Sequence, residues 1–355
     1  MTILLFILGL ALLIGGAEIL VRGASRLAAL FGISPLVIGL TVVAFGTSSP
    51  ELAVSIKAAL AGQAGLALGN VIGSNICNVL LILGVAAMIA PLAVAAQLIR
   101  FDVPIMIGIS LLTMLFAWDG SFSRIEGILF FLGLTAYTIF LVVQSRKESA
   151  AVQDEYAEFG ATDKSSHGWL KDIALVVGGL ALLILGSRWL VSSAVVMAQH
   201  FKVSEAVIGL TVVAVGTSLP EIVTSVVASL RGKVDIAVGN VVGSNIFNLL
   251  GVLGLAGIIA PDGIAVSPAI LGFDMPVMLL AAAACLPIFF TGSRISRLEG
   301  ALFFGYYCAY TLHLILTAAQ HELLADFSMA MLYVALPLTA VTLCAVAARE
   351  WRRKQ

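Results

Sequence analysis

Two glutamates, Glu51 and Glu221, each directly follow a proline inside a long apolar stretch, with a threonine four residues and a serine three residues before the acid. Thr47 with Glu51, and Thr217 with Glu221, therefore share a helical face, with Ser48 and Ser218 beside them. Downstream, Asn70, Ser74 and Asn78 recur every fourth residue, and Asn240, Ser244 and Asn248 repeat the stripe. Every one of these side chains can offer oxygen, and none offers thiolate or imidazole. That donor set suits hard cations such as Ca2+ and Na+ and disfavours Zn2+ and Cu+. Mg2+ fits less well, because it gives up water reluctantly and needs near-ideal octahedral geometry.

The two sets belong to a repeat. Gly39 to Gly84 returns as Gly209 to Gly254 without a gap, with 27 of 46 positions identical, so Glu51 and Glu221 are equivalent. The repeat reaches further: FDVP at 101–104 returns as FDMP at 273–276, and SRIEG at 123–127 as SRLEG at 296–300.

The elements that carry these residues must lie in a bilayer. Hydrophobic residues make up 61% of the chain and charged residues 11%, more apolar than a soluble core of this length requires. Stretches long enough to cross about 30 Å of hydrocarbon are read at 2–30, 35–60, 67–90, 101–118, 125–144, 172–197, 205–230, 237–260, 269–290, 297–318 and 327–348. The first is not a cleavable signal, since it lacks a basic n-region and runs on into the patterned chain. Cys77, Cys285, Cys308 and Cys344 fall inside these stretches with no zinc or disulfide spacing and are read as packing residues.

The expected fold is an all-α polytopic membrane protein with two five-helix repeats, 1–144 and 170–320, joined by a short cytoplasmic linker at 145–169. An additional transmembrane helix and basic tail follow at 321–355. Five is odd, so the second repeat enters from the opposite side, the inverted arrangement of secondary transporters, whose sites lie near the midplane at interrupted helices. Pro50 and Pro220 supply interruptions: each lacks the N–H that the carbonyl of Gly46 or Gly216 would accept. A freed carbonyl at this depth needs a partner, either a cation or, more simply, a neighbouring Ser, Thr or water.

A charge at the bilayer centre costs at least about 2.5–3.5 kcal/mol, and neither glutamate has an Arg or Lys one turn away. Ionisable groups at such depth mark an ion path by default. Two carboxylates balance one Ca2+, whereas the empty pair would be two buried like charges. Proton or sodium must then replace calcium before the carrier returns, which is the logic of an antiporter.

Lysine and arginine placement sets the orientation. With the N-terminus outside, the inner side receives Arg22, Arg26, Arg100, Arg146, Lys147, Lys164, Lys171, Arg231, Lys233, Arg294, Arg297 and the tail Arg349, Arg352, Arg353 and Lys354. The outer side keeps Lys57, Arg124, Arg188 and Lys202. The N-terminus outside and C-terminus cytoplasmic is the expected topology, in a prokaryotic inner membrane.

GTSSPE with GNVIGSNICN, repeated as GTSLPE with GNVVGSNIFN, resembles the paired alpha-repeats of the calcium/cation antiporter superfamily, most closely its sodium/calcium exchanger branch of prokaryotic type. The resemblance covers residues 1 to about 320. It implies a ten-helix core exchanging Ca2+ for Na+ by alternating access, with helices one and six sliding past the rest. Carried over residue by residue, the implied ligands are Glu51 and Glu221, Thr47 and Thr217, Ser48 and Ser218, Ser74 and Ser244, Asn78 and Asn248, and the carbonyls of Ala44 and Ala214. Where some relatives, including potassium-dependent ones, carry an acid in GSNIFD, this chain has Asn248, which argues against potassium co-transport. A Ca2+/H+ antiporter of the same fold is the alternative, and a passive cation channel a further one.

Ca2+ and Na+ would be transported substrates and the lipid bilayer the surrounding partner. No cofactor, enzyme activity or nucleic-acid binding is expected, because the chain has no nucleotide loop, thiolate or activated Ser/His pair. The lipid-facing surfaces of a monomer and a dimer look alike in sequence. Gly65, Gly69 and Gly73, like Gly239 and Gly243, have the spacing of close helix packing. For Asn70, Asn75, Asn240 and Asn245 an interhelical hydrogen bond is the alternative to a place on the ion path; Asp102 and Asp274 read as helix caps, Glu18 with Arg22 as a pair, and the Arg and Glu of each SRxEG motif as anchors. His167, His200, His313 and His321 form no cluster. The acids Glu148, Asp154, Glu155, Glu158 and Asp163 belong to a solvated linker.

Overall fold

The computed structural model describes residues 2–145, 168–201 and 214–354. In chain order it contains α1 (Thr2–Phe31), α2 (Pro35–Thr47), α3 (Ser49–Leu60), α4 (Ala64–Ile89), α5 (Leu98–Asp119) and α6 (Arg124–Ser145). After these come α7 (Gly168–His200), α8 (Ala214–Thr217), α9 (Leu219–Leu230), α10 (Val234–Ile259), α11 (Ile270–Phe290), α12 (Arg297–Ala318) and α13 (Leu323–Glu350). Nine described helices can cross a bilayer singly, and α2 with α3, bent by 46°, makes a tenth span. The seventh predicted stretch is represented by α8 and α9; residues 202–213 lie outside the described residues, as does most of the predicted linker, 146–167.

The prolines break the helices where the sequence predicts. Pro50 and Pro220 occupy the first turns of α3 and α9, and the preceding serines take matching non-helical dihedrals, φ −79° ψ 8° at Ser48 and φ −86° ψ 8° at Ser218. The freed carbonyl of Gly216 accepts a hydrogen bond from Ser187 Oγ of α7 at 2.7 Å, so the simpler outcome holds there.

Each SRxEG motif ties one half of the chain to the other. Ser296 and Glu299 form a reciprocal capping box at the start of α12, and Ser123 with Glu126 does the same at α6. Arg297 donates to the carbonyl of Ile89 at the end of α4, and Arg124 to Ala260 and Pro261 after α10. The motif glycines let backbones touch: a Cβ on Gly300 would lie 2.8 Å from the Gly84 carbonyl, and one on Gly127 2.7 Å from that of Gly254. Two short ribbons repeat the exchange. β1 (Leu92–Ala93) pairs antiparallel with β4 (Arg294–Ile295), and β2 (Ser121–Phe122) with β3 (Ile264–Ala265).

Asp102 and Asp274 do not cap helices, contrary to the reading from sequence. Both lie in wide π-helical turns that run straight into the following helix, so no free N–H group awaits them. They accept instead from tyrosines, Tyr137 and Tyr310. The small-residue spacing also divides: Gly239 and Gly243 meet the backbone of α2, whereas Gly73 has nothing within 4 Å among the described residues. The eleventh predicted span, α13, docks on α12 through Tyr306, which donates to the carbonyl of Ala335 at 3.1 Å and contacts the Thr339 hydroxyl. His313 stacks on Phe273 and meets Ser328. Glu18 pairs with Arg22 and also with Arg231, while Arg26 meets Asp172.

Two apolar cores result. One fills the space among α4, α5, α6, α10 and α11; the other lies between α1 and α7 and reaches α2, α9 and α10. The α1–α7 contact depends on glycines seven residues apart. A Cβ on Gly16 would sit 2.9 Å from the Gly179 carbonyl and the Leu183 nitrogen, and one on Gly9 would sit 2.9 Å from the Gly186 carbonyl. Gly16→Val should therefore force the helices apart at a cost of about 1–3 kcal/mol and lower the melting temperature of the detergent-solubilised protein. Gly15→Val, where a Cβ meets nothing within 4 Å among the described residues, should leave it nearly unchanged.

Candidate ion-binding site

The breaks at Ser48 and Ser218 bring the two repeats together at one point. Glu51 and Glu221, in the first turns of α3 and α9, are both 1% exposed. Each sits where the free N–H groups of a helix start favour negative charge. Sequence spacing predicts that each acid shares a face with its own upstream hydroxyls, but the helix break between them turns those hydroxyls across the molecule. Ser48 Oγ donates to Glu221 Oε1 and Ser218 Oγ to Glu51 Oε1, each at 3.0 Å. Ser74 Oγ adds a 3.5 Å contact to Glu51 Oε1 and accepts from Ser218 at 3.4 Å.

Asparagines brace the centre. Asn75 Nδ2 donates to the Asn245 carbonyl and Asn245 Nδ2 to that of Asn75. Their side-chain oxygens then accept from Asn78 and Asn248: Asn78 Nδ2 reaches Asn245 Oδ1 at 3.0 Å, and Asn248 Nδ2 reaches Asn75 Oδ1 at 3.1 Å. With their nitrogens engaged, Asn78 and Asn248 keep Oδ1 free. Both begin wide π-helical turns, Asn78–Leu83 and Asn248–Leu253; such turns are frequent at functional sites. Further out, Asn70 holds Ser55 and the Glu51 carbonyl, while Asn240 holds Ser225 and accepts from Thr47.

Among the described residues, five buried oxygens in this centre have no hydrogen-bond partner: Glu51 Oε2, Glu221 Oε2, Asn78 Oδ1, Asn248 Oδ1 and Ser244 Oγ. Buried polar atoms are ordinarily satisfied, and an acceptor cluster of this kind is suited to a hard cation. The remaining predicted residues fall around it less evenly. Thr47 is buried and its hydroxyl is committed to Asn240 and, at 3.4 Å, to the Ala44 carbonyl, which also accepts from the Ser48 N–H. Thr217 is half-buried at the end of α8, and Ala214 begins that helix. Sequence reasoning left Asn75 and Asn245 open between interhelical bonds and the ion path; it did not foresee that they orient Asn78 and Asn248. Their signal was present, one residue after each serine of the GSN tripeptide.

Known proteins carry the same architecture. The sodium/calcium exchanger protein family matches residues 1–145 and 171–316. The chain is 42% identical over 310 residues to the putative antiporter CaxA of Alkalimonas amylolytica, covering 84% of this chain and 95% of that one. It is 40% identical over 280 residues to the inner membrane protein YrbG of Escherichia coli (strain K12), covering 78% and 85%. A solved structure of the sodium-calcium exchanger NCX_Mj superimposes with a TM-score of 0.73 at 30% identity, over 90% of this chain and 99% of that one. A multi-pass, all-helical membrane transporter and not an enzyme, the chain belongs to the sodium/calcium exchanger protein family.

Proposed function

We propose that this protein exchanges Ca2+ for Na+ across an inner membrane by alternating access, at a site between two inverted five-helix repeats, 1–144 and 170–320. The linker at 145–169 would lie in the cytoplasm with the C-terminus, the N-terminus outside, and 321–355 would add a span and a basic tail. The cluster of five unpartnered oxygens, drawn from both repeats and including one from each glutamate, is the observation that carries this reading. The names of CaxA and NCX_Mj, an antiporter and a sodium-calcium exchanger, point the same way.

The ligands are Glu51, Glu221, Ser48, Ser218, Ser74, Ser244, Asn78 and Asn248, with Thr47, Thr217 and the carbonyls of Ala44 and Ala214 at the margin. A serine hydroxyl is both donor and acceptor, so Ser48 and Ser218 can hold the carboxylates of an empty site and rotate to present oxygen to a cation. One Ca2+ neutralises the glutamate pair. Monovalent Na+ can do so in steps, which lets the carrier return without an uncompensated buried charge. Neutral Asn248 keeps the carboxylate count at two and leaves no additional charge to be met by K+.

Reconstituted in sealed liposomes loaded with Na+ and diluted into Na+-free buffer with radiolabelled Ca2+, the protein should take up Ca2+, and replacing K+ by choline should change nothing. Uptake driven only by an acid interior would reassign it to Ca2+/H+ antiport, and gradient-independent entry to a channel. Glu51→Gln and Glu221→Gln should each reduce uptake by at least about 100-fold, since losing one of two buried carboxylates costs several kcal/mol of cation stabilisation. Ser244→Ala separates binding from folding. Its hydroxyl has no partner among the described residues, so its removal should preserve or raise the melting temperature while raising the Ca2+ KM several-fold. A lowered melting temperature with unchanged KM would make Ser244 a structural residue.

A further inference from the structure

The two aspartates of the repeated FD-P motif have diverged in their surroundings. Asp102 is fully buried, its two oxygens taken by Tyr137 at 3.0 Å and Gln97 Nε2 at 3.1 Å. Such a sealed, doubly bonded carboxylate is what a purely structural role produces. Its counterpart Asp274 keeps the tyrosine, Tyr310, at 2.8 Å, but Ala269 stands where the glutamine would be. Among the described residues only Tyr310 donates to Asp274, which is half-buried and lines a cavity of about 250 Å³.

That cavity leads to the ion-binding centre. Asn70, Ser74 and Cys77 of α4 form one wall, Asp274 of α11 and Tyr307 and Tyr310 of α12 the other. Ser74, at the cavity edge, lies 3.5 Å from Glu51 Oε1. At roughly 30 Å³ per water, the space holds about eight waters, enough for a cation to keep much of its hydration. Among the described residues Asp274 is the single charged one in its lining. A charge at the mouth of a cleft with low-dielectric walls focuses the field and raises the local concentration of counter-ions.

We propose that Asp274 and this cavity form an antechamber that gathers hydrated Ca2+ or Na+ and passes it to Ser74 and Glu51. It opens where α4 and α11 begin and α12 ends, the outer side in the orientation proposed above. The antechamber rests on the exchange reading for the identity of its ions, but its electrostatic character does not.

Two measurements test it on the full-length protein. In right-side-out Na+-loaded vesicles, Asp274→Asn should raise the external Ca2+ KM by about 3–10-fold with kcat retained, Asp274→Glu should restore it, and everted vesicles should show no KM change. Independently, Cys77 labelling, read by peptide mass spectrometry, should be faster with a cationic than an anionic methanethiosulfonate reagent. Asp274→Asn should abolish that preference. An unchanged KM, a fall in kcat alone, or a Cys77 that shows no charge preference or fails to react with either reagent overturns the antechamber. If wild-type vesicles show no Na+-driven uptake while the labelling preference stands, the exchange reading fails and the antechamber survives.

Discussion

Two carboxylates buried together, with no cationic side chain against them among the described residues, form the constraint around which the rest of the molecule is arranged. Burying a charge is costly unless hydrogen bonds replace its water, and a single helix cannot supply donors to its own glutamate at this depth. The chain meets the demand by breaking two helices. Each break sets a glutamate at a fresh helix start and swings a serine toward the opposite glutamate, so Ser48 serves Glu221 and Ser218 serves Glu51. Each acid takes its shortest side-chain hydrogen bond from the other half of the chain.

Crossed support of this kind demands that the halves stay in register, and the packing provides it at several depths. Glycine pairs bring α4 against α12 and α6 against α10 until backbones touch. Capping boxes fix the starts of α6 and α12, and their arginines hold the carbonyl ends of the opposite long helices. The reciprocal Asn75–Asn245 bonds sit at the centre of this frame, where they orient Asn78 and Asn248. Rigid backbone contacts outside and directed side-chain bonds inside are what allow five acceptor oxygens to remain unpartnered. In a looser structure the chain's own donors would rotate to satisfy them.

Much of this was legible in the sequence because the repeat doubles every signal. A single proline before a glutamate could be an ordinary kink, whereas two in equivalent positions identify Glu51, Glu221 and the serine and asparagine stripes. Features that depend on what crosses between halves were not legible. Face-sharing arithmetic assumed a continuous helix through Ser48 and assigned the hydroxyls to the wrong glutamate. Asp102 and Asp274 looked like caps because each was read at the start of a helix, yet the helix continues through a wide turn and leaves no N–H to cap. The Gly216 carbonyl found Ser187, a residue of α7 that no local pattern connects with it. The span beyond residue 321 read as an appendage because it has no repeat counterpart, while Tyr306 reaching Ala335 and Thr339, and His313 meeting Ser328, tie it to α12.

The same crossed geometry explains where the halves are identical and where they differ. Because Ser48 and Glu221 form one contact and Ser218 and Glu51 its image, a change in either half would leave a buried charge short of a donor. The proposed ligand positions are accordingly matched pair by pair: Thr with Thr, Ser with Ser, Asn with Asn, Glu with Glu. Residues outside the crossed contacts are under no such demand. Gln97 stands opposite Ala269, Cys77 opposite Phe247, Tyr307 opposite Leu134, and Glu18 opposite Arg188. One half can thus seal its aspartate with a second donor while the other leaves a cavity beside it, and the geometry of the centre survives both because it is set by the crossed serines and the braced asparagines.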